Sequence, residues 1–176
     1  MKIILFNLFT FLSFLILSQG TQNESPFEKL SKNSINYVES CDFKKPISQT
    51  LQLINDYRRK NGLNPLHLDA EMSKFTDKFI LQLLEKNVLN HSDLNGGTYS
   101  IENLYTQMGF GSILVLDEIW YDQIAQQTFD AWKKSPGHNT NMLNPNITKI
   151  GLSFDAKTKS SEGNYSYTLD GILVGK

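Results

Sequence analysis

Apolar side chains recur at helical spacing in the first half of the chain. Ile47, Leu51 and Ile54 stand at positions i, i+4 and i+7, which places them on one face of an α-helix. Asn61-Gly62 follows and is typical of a helix C-terminus, because both residue types readily adopt the left-handed conformation. The pattern predicts a first helix over residues 47–60.

Two later segments show the same period. Asp69 is a suitable N-cap for a second helix, predicted over residues 70–87. A third helix is predicted over residues 114–134, and the Pro136-Gly137 pair that follows is expected to end it. The apolar faces of the two helices comprise Met72, Phe75, Phe79, Leu83, Trp120, Ile124, Thr128 and Ala131. We also expect Trp132, near the end of the third helix, to be largely buried.

The last third of the chain changes period. Residues 150–156 and 165–174 are rich in β-formers and flank a polar loop, which predicts a β-hairpin. A shorter extended stretch is predicted around residues 99–105. Because helices come first and strands last, the predicted fold class is α+β, with helices packed on a small antiparallel sheet.

The first twenty residues follow a different pattern. Lys2 precedes the apolar run Ile3–Leu17, and the small residues Ser18 and Gly20 come next. This order predicts a secretory signal peptide over residues 1–20 and a secreted, extracellular protein. The alternative is a membrane anchor, but the run is shorter than the roughly 20 residues of a spanning helix. No later segment has the length and hydropathy to span a membrane, so none is expected in the mature chain.

The remaining chain divides into an N-terminal segment, residues 21–45, and one domain, residues 46–176. Apolar residues in the N-terminal segment are too scattered to predict a strong helix, so we expect it to lie on the domain or to be partly loose. The near balance of 17 Lys+Arg and 18 Asp+Glu argues against a nucleic-acid partner. Cys41 is the single cysteine, which excludes an internal disulfide and predicts a buried thiol or an intermolecular link.

In a protein secreted from a eukaryotic cell, each Asn-X-Ser/Thr sequon is a candidate glycosylation site. The four sequons begin at Asn23, Asn90, Asn146 and Asn164. Asn146 and Asn164 are the predicted glycosylation sites, and Asn164 lies in the polar hairpin loop, the exposed kind of site that accepts sugars. Asn90 adjoins the candidate site residue His91 and is expected to carry a glycan far less often. The alternative is that the sequons arise by chance in an Asn-rich sequence.

Candidate chemistry rests on few residues. HExxH, CxxC and GxSxG motifs and a Gly-rich phosphate loop are absent. Of the three histidines, His67 is expected to be a packed or solvated loop residue. His91 and His138 stand in loops at helix ends, and Glu102 lies among apolar residues, where hydrogen bonds or a cation would hold its carboxylate. Two imidazoles and a carboxylate suit Zn²⁺ or another divalent cation, provided that these distant residues meet.

Five motifs occur in an order that resembles a known family. They are Leu53–Arg58 with Asn61–Leu66, His91–Ser92, Glu102–Tyr105, Ala131–Asn139 and Met142–Gly151. The chain resembles the CAP superfamily (cysteine-rich secretory proteins, antigen 5 and pathogenesis-related proteins), whose domain is also called SCP, over about residues 47–175. The pattern is similar to the cysteine-poor branch found in bacteria and protists.

The resemblance implies an α-β-α sandwich with a central cleft lined by two His and two Glu, where some members bind divalent cations. By motif, His91 and Glu102 match the first His and the first Glu, and His138 matches the second His. Of these, His91 and His138 are the expected metal ligands. The resemblance therefore implies a cleft formed by His91, Glu102 and His138.

Two positions depart from the family pattern. Ser135 stands where the second Glu is expected, and Ile101 replaces the usual Gly before the first Glu. Glu118 or Asp122 of the same predicted helix are the possible substitutes for the missing carboxylate. Without a substitute the cleft has three of its four residues, and we expect Zn²⁺ binding to be weak or absent.

Three functions remain open, of which the second and the third are implied by the resemblance to the CAP superfamily. The first is a secreted, non-enzymatic binding module for an unidentified extracellular ligand, protein or lipid. The second is a protease-like hydrolase that uses the same cleft, with Ser92 or Ser135 as a candidate nucleophile, although no catalytic triad is visible. The third is a sterol or lipid carrier, for which residues 110–116 are the one apolar candidate. A buried, helical core segment is the favoured interpretation of those residues.

Overall fold

The computed structural model describes residues 24–92 and 98–176. The predicted signal peptide and the sequon at Asn23 lie outside these residues. Within them, the helices are α1 (Pro26–Glu39), α2 (Lys44–Lys60), α3 (Ala70–Lys86), α4 (Glu118–Lys134) and α5 (Pro136–Met142). The strands are β1 (His67–Leu68), β2 (Ile101–Gly111), β3 (Lys149–Ser161) and β4 (Asn164–Gly175). No helix of this part of the chain has the length and hydropathy to cross a bilayer.

The predicted fold class is confirmed, and the sheet is the element that organises it. The strand order is β1-β3-β4-β2, and the three long strands pair antiparallel. The short β1 pairs parallel with β3, so the sheet is mixed rather than purely antiparallel. Glu162 and Gly163 join the hairpin with positive φ angles of 49° and 76°, as a type I′ turn requires.

Helices cover both faces of the sheet. One core lies between the sheet and α1, α2 and α4, and it includes Trp132, which is fully buried. A smaller core lies between the sheet and α3, where Met72 and Ile80 pack against Ile172 and Val174. Because both faces of the sheet are covered, β4 is buried without interruption from Leu169 to Gly175.

The N-terminal segment contains a helix that the apolar pattern did not predict. Ser25 caps α1 by accepting a hydrogen bond from the Glu28 N–H at 3.1 Å. The buried face of α1 includes Ser31 and Ser34, whose hydroxyls bond the backbone of Leu114. Small polar residues thus make this contact, which is why a search for apolar periodicity missed the helix.

Two further predictions are corrected near β2. The third predicted helix begins at Glu118 and not at residue 114, because Asp117 caps it by accepting from the Ile119 and Trp120 N–H groups. The interpretation of residues 110–116 as a buried helical segment is wrong. They form the end of β2 and a loop in which Leu114 and Leu116 are buried, whereas Phe110 is 80% exposed.

Candidate functional site

Glu102 is the buried centre of the site. It lies near the start of β2, opposite Val174, and its side chain is 1% exposed. Its Oε1 lies 2.6 Å from Nδ1 of His91 and accepts from the Ser92 N–H at 3.0 Å. Its Oε2 accepts from the Ser92 hydroxyl. Hydrogen bonds therefore hold this carboxylate, which is one of the two arrangements expected from the sequence.

The end of α3 explains why His91 reaches this carboxylate. Asn87 adopts a left-handed conformation with φ of 51°, and its N–H bonds the Leu83 carbonyl, so the helix stops there. The chain then continues to His91 and Ser92, which contact β2. Because the carboxylate accepts from Nδ1, the neutral imidazole is expected to be protonated on Nδ1, with Nε2 left as an acceptor.

His138 enters the site from α5. The Pro136-Gly137 pair ends α4 as predicted, but Pro136 also occupies the first turn of α5, a position that suits its fixed φ. The ring centroids of His138 and His91 are 6.4 Å apart. Burial lowers the pKa of His138, and the charge of His91 lowers it further. The structure thus brings together the three residues predicted from the motifs.

A pair of asparagines fixes α5 against β2. The Asn103 side chain is fully buried and donates to the His138 carbonyl at 3.1 Å. Asn141 donates to the Asn103 side-chain oxygen at 2.8 Å and to the Glu102 carbonyl at 3.1 Å. Sequence reasoning missed these residues, although Asn103 lies within one of the motifs that carried the family resemblance.

A buried arginine anchors the other end of α5. Arg58 of α2 is fully buried and donates to the carbonyls of Asn64, Met142, Asn144 and Ile147 at 2.7–3.2 Å. Charge-assisted bonds to four carbonyls satisfy the guanidinium without a carboxylate partner. Arg58 therefore ties α2 to the turn after α5 and helps to set the position of His138.

The donor set does not amount to a complete metal site. Across the described residues, no group of three or more His, Cys, Asp or Glu is arranged to hold a metal ion. Both Glu102 oxygens already accept hydrogen bonds from His91 and Ser92. Glu118 and Asp122 start α4, about 20 Å or more along the helix from Ser135, so they do not replace the missing carboxylate.

The remaining sequence candidates take other positions. His67 is exposed in β1, at the opposite edge of the sheet from Glu102, and contributes nothing to the site. The Ser92 hydroxyl donates to Glu102 and not to an imidazole, so it is not activated as a nucleophile. Asn90, Asn146 and Asn164 are all exposed.

A surface recess adjoins the site on the α3 side. It is lined by Phe79, Gln82, Leu83, Lys86, Val88, Asn90, His91 and Ser92. Its walls combine apolar side chains of α3 with the ammonium group of Lys86.

Comparisons with curated proteins agree with the motifs. The uncharacterised protein YkwD of Bacillus subtilis (strain 168) is 30% identical over 107 residues, which cover 60% of this chain and 41% of YkwD. The Golgi-associated plant pathogenesis-related protein 1 of Homo sapiens is 27% identical over 123 residues, which cover 66% of this chain and 75% of the human protein. The chain thus spans less than half of the Bacillus protein.

Solved structures share the fold. An outer surface protein of Borrelia burgdorferi superposes with a TM-score of 0.50 at 19% identity, covering 77% of this chain and 96% of that protein. The protein MpPR-1i superposes with a TM-score of 0.53 at 14% identity, covering 78% and 90%. The model of the CAP family, described as the cysteine-rich secretory protein family, matches residues 51–170. The chain, with its single cysteine, therefore belongs to the CAP family.

Proposed function

We propose that this CAP domain acts outside the cell as a binding module, with His91, Glu102 and His138 lining the cleft that receives the ligand. The observation that carries the proposal is the contact of Glu102 with His91. The buried carboxylate of Glu102 holds the Nδ1 edge of the His91 imidazole, whose side chain is itself 65% exposed. The site therefore presents an oriented hydrogen-bonding group to solvent.

The geometry favours binding over hydrolysis. A nucleophilic serine needs an adjacent base, yet the Ser92 hydroxyl donates to the same carboxylate that holds His91. The lowered pKa of His138 keeps its imidazole neutral at neutral pH. The ring nitrogens of His91 and His138 that are free of protons can accept hydrogen bonds from a ligand, and together they offer two ligands to a weakly bound divalent cation such as Zn²⁺.

A Zn²⁺ titration of protein purified without a chelator or nickel tests the cleft. We expect weak binding in which the NMR signals of His91 and His138 shift, and the signals of His67 do not. His91→Ala or His138→Ala should abolish it, and His67→Ala, which changes a histidine at the other sheet edge, is the matched control. Tight binding that survives both cleft variants would place the metal elsewhere and remove cation binding from the proposal.

Turnover assays separate the binding module from the hydrolase alternative. Purified protein is incubated with a broad peptide mixture and with ester substrates. Under the proposal no hydrolysis depends on the cleft. Activity that disappears in both His91→Ala and His138→Ala, but not in His67→Ala, would establish the hydrolase and overturn the binding module.

A lipid carrier is the second candidate, and one observation favours it. Phe110, Ile113, Val115 and Ile119 are 80%, 46%, 55% and 67% exposed, and they lie within ten residues of one another along the chain, from the end of β2 to the start of α4. Apolar side chains grouped on a surface commonly mark a site of interaction. Lipid extraction and mass spectrometry of the purified protein would detect a bound sterol or lipid, which Phe110→Ser should reduce.

Secretion and glycosylation follow from the proposal and have their own test. The chain expressed with its leader in a eukaryotic cell should reach the medium with Thr21 as its first residue. Glycopeptide mass spectrometry should find Asn164 occupied far more often than Asn90. Asn146 is also expected to carry sugar. High occupancy of Asn90, next to His91, would cover the cleft and contradict its proposed role.

A further inference from the structure

A row of polar side chains crosses the face of the sheet that packs against α3. Thr106 of β2 is the register partner of Asp170 of β4, and Asp155 of β3 is the register partner of Asp170 on its other side. Partners in antiparallel strands point to the same face, with Cβ atoms about 5 Å apart. Two carboxyl groups therefore lie side by side within the sheet.

Asp170 faces a recess at the end of this row. The recess is lined by Asn87, Val88, Leu89, Thr106, Met108, Thr168 and Asp170. Asp170 is only 3% exposed, and its Oδ1 has no hydrogen-bond partner. A buried carboxyl oxygen without a partner is costly, so a ligand that donates a hydrogen bond to it would be bound favourably.

The recess has charges of both signs near it, but no cation among the described residues forms an ion pair with its carboxyl groups. Asp77 of α3 adds a further negative charge, which raises the pKa of Asp155. The charge of Asp155 in turn raises the pKa of Asp170. Lys157 and Lys159 follow Asp155 on the same face of β3, but the Lys159 ammonium lies 3.4 Å from the Asn87 side-chain oxygen. Among the described residues, no lysine or arginine pairs with Asp155 or Asp170. Burial raises the pKa of Asp170, which is the response of a carboxyl group without a cation.

We propose that this recess binds a small organic ammonium ion. Its ammonium group would donate to Oδ1 of Asp170, and Asp155 would add attraction from the neighbouring strand. Its apolar part would contact Val88, Leu89 and Met108. A metal ion fits less well, because the described residues offer no group of three metal-binding side chains and the walls are apolar.

The recess is separate from the His91–Glu102–His138 cleft. Thr106 lies four residues beyond Glu102 on β2, a separation of about 13 Å along the strand. The chain between Asn87 and Ser92 runs from one site to the other. The proposal therefore does not depend on the function of the cleft, and its failure would leave that function unaffected.

Calorimetry and NMR with 2-phenylethylamine and butylamine test the proposal on the whole folded chain. The matched uncharged probe is 2-phenylethanol. We expect the amines to bind at least tenfold more tightly than the alcohol and to shift the signals of Val88, Met108 and Asp170. Asp170→Asn should weaken amine binding at least tenfold, and Asp155→Asn should weaken it less. His91→Ala should leave it unchanged.

Val88→Trp provides a second variant at a partly exposed position, where folding does not depend on the change. It should fill the recess and abolish amine binding. Equal affinity for amine and alcohol, or amine binding that survives both Asp170→Asn and Val88→Trp, would overturn the proposal. So would binding of Ca²⁺ or Mg²⁺ that Asp170→Asn abolishes while no amine binds.

Discussion

Two buried carboxylates lie on the α3 face of the sheet, and the protein surrounds them differently. Glu102 accepts hydrogen bonds from His91 and from both the backbone and the hydroxyl of Ser92. Asp170 keeps one oxygen without a partner and lies next to a second carboxyl group, Asp155. The hydrogen bonds of Glu102 stabilise the folded protein, whereas the unpaired oxygen of Asp170 lowers the free energy of unfolding. This difference predicts that the two residues respond to substitution with opposite signs.

The largest expected effect comes from Trp132, which contacts β2 two residues beyond Glu102. Its side chain is fully buried, and its indole N–H donates to the Leu104 carbonyl at 2.9 Å. Trp132→Ala should reduce the free energy of unfolding by about 3–5 kcal/mol, as truncation of a large core aromatic does. Chemical denaturation measures it, and a loss below about 1 kcal/mol would contradict the assigned packing.

The pair Glu102→Gln and Asp170→Asn tests the comparison directly. Each substitution removes one charge at nearly constant volume. Glu102→Gln should destabilise the protein by about 1–3 kcal/mol, because an amide NH₂ would face the donors of His91 and Ser92. Asp170→Asn should stabilise it at neutral pH by on the order of 1 kcal/mol, because it removes an uncompensated buried charge.

The pH dependence sharpens this result. The pKa of Asp170 is raised in the folded protein, so its ionisation opposes folding as pH rises above the usual carboxyl range. The gain from Asp170→Asn should therefore be largest at neutral pH and should vanish near pH 4. Two denaturation series at different pH measure it. Equal gains at both pH values would mean that charge is not the cause.

The sequence pointed to His91, Glu102 and His138, which lie near one another in the structure, but it did not point to Asp170 and its recess. The reason is physical. His91, Glu102 and His138 belong to compact motifs whose residue types suggest their chemistry. The surroundings of Asp170 depend on the register of three strands, which places Thr106 on one side of it and Asp155 on the other. Local spacing does not contain that register.

The same distinction explains the errors in the fold. Helix α3 buries Met72, Ile80 and Leu83, and α2 packs Ile54 and the partly buried Ile47 and Leu51 against the core, so apolar spacing predicted both helices within a few residues at each end. Helix α1 is fixed by hydroxyl contacts of Ser31 and Ser34, and α5 by Arg58 and two asparagines. Polar contacts between distant segments leave no periodic signal in the sequence.

His138 makes the stability of the protein depend on pH in the direction opposite to that of Asp170. Its pKa is lowered in the folded protein, so it contributes stability that is present above about pH 6.5 and is lost as pH falls through the folded pKa. His138→Gln should reduce the loss of stability between pH 7 and pH 5. Thermal melts at the two pH values measure it, with His67→Gln as the control for replacing an exposed histidine outside the site.

The smallest effect on stability is expected at Ser135, the position where the family pattern has the second Glu. Ser135 precedes His138 by three residues at the start of α5, so a longer side chain at this position lies beside the imidazole. Ser135→Glu should change the free energy of unfolding by less than about 0.5 kcal/mol, as surface substitutions usually do.

Its effect on Zn²⁺ should be larger, because the new carboxylate adds a negative charge and an oxygen ligand to the two imidazoles. We expect the affinity for Zn²⁺ to rise at least tenfold in Ser135→Glu and to be lost again when His138→Ala is added. Ser135→Gln, which adds the same length without the charge, is the matched control. Calorimetry that shows equal affinity in the Glu and Gln variants would mean that the cleft lacks only bulk at this position, and not a metal ligand.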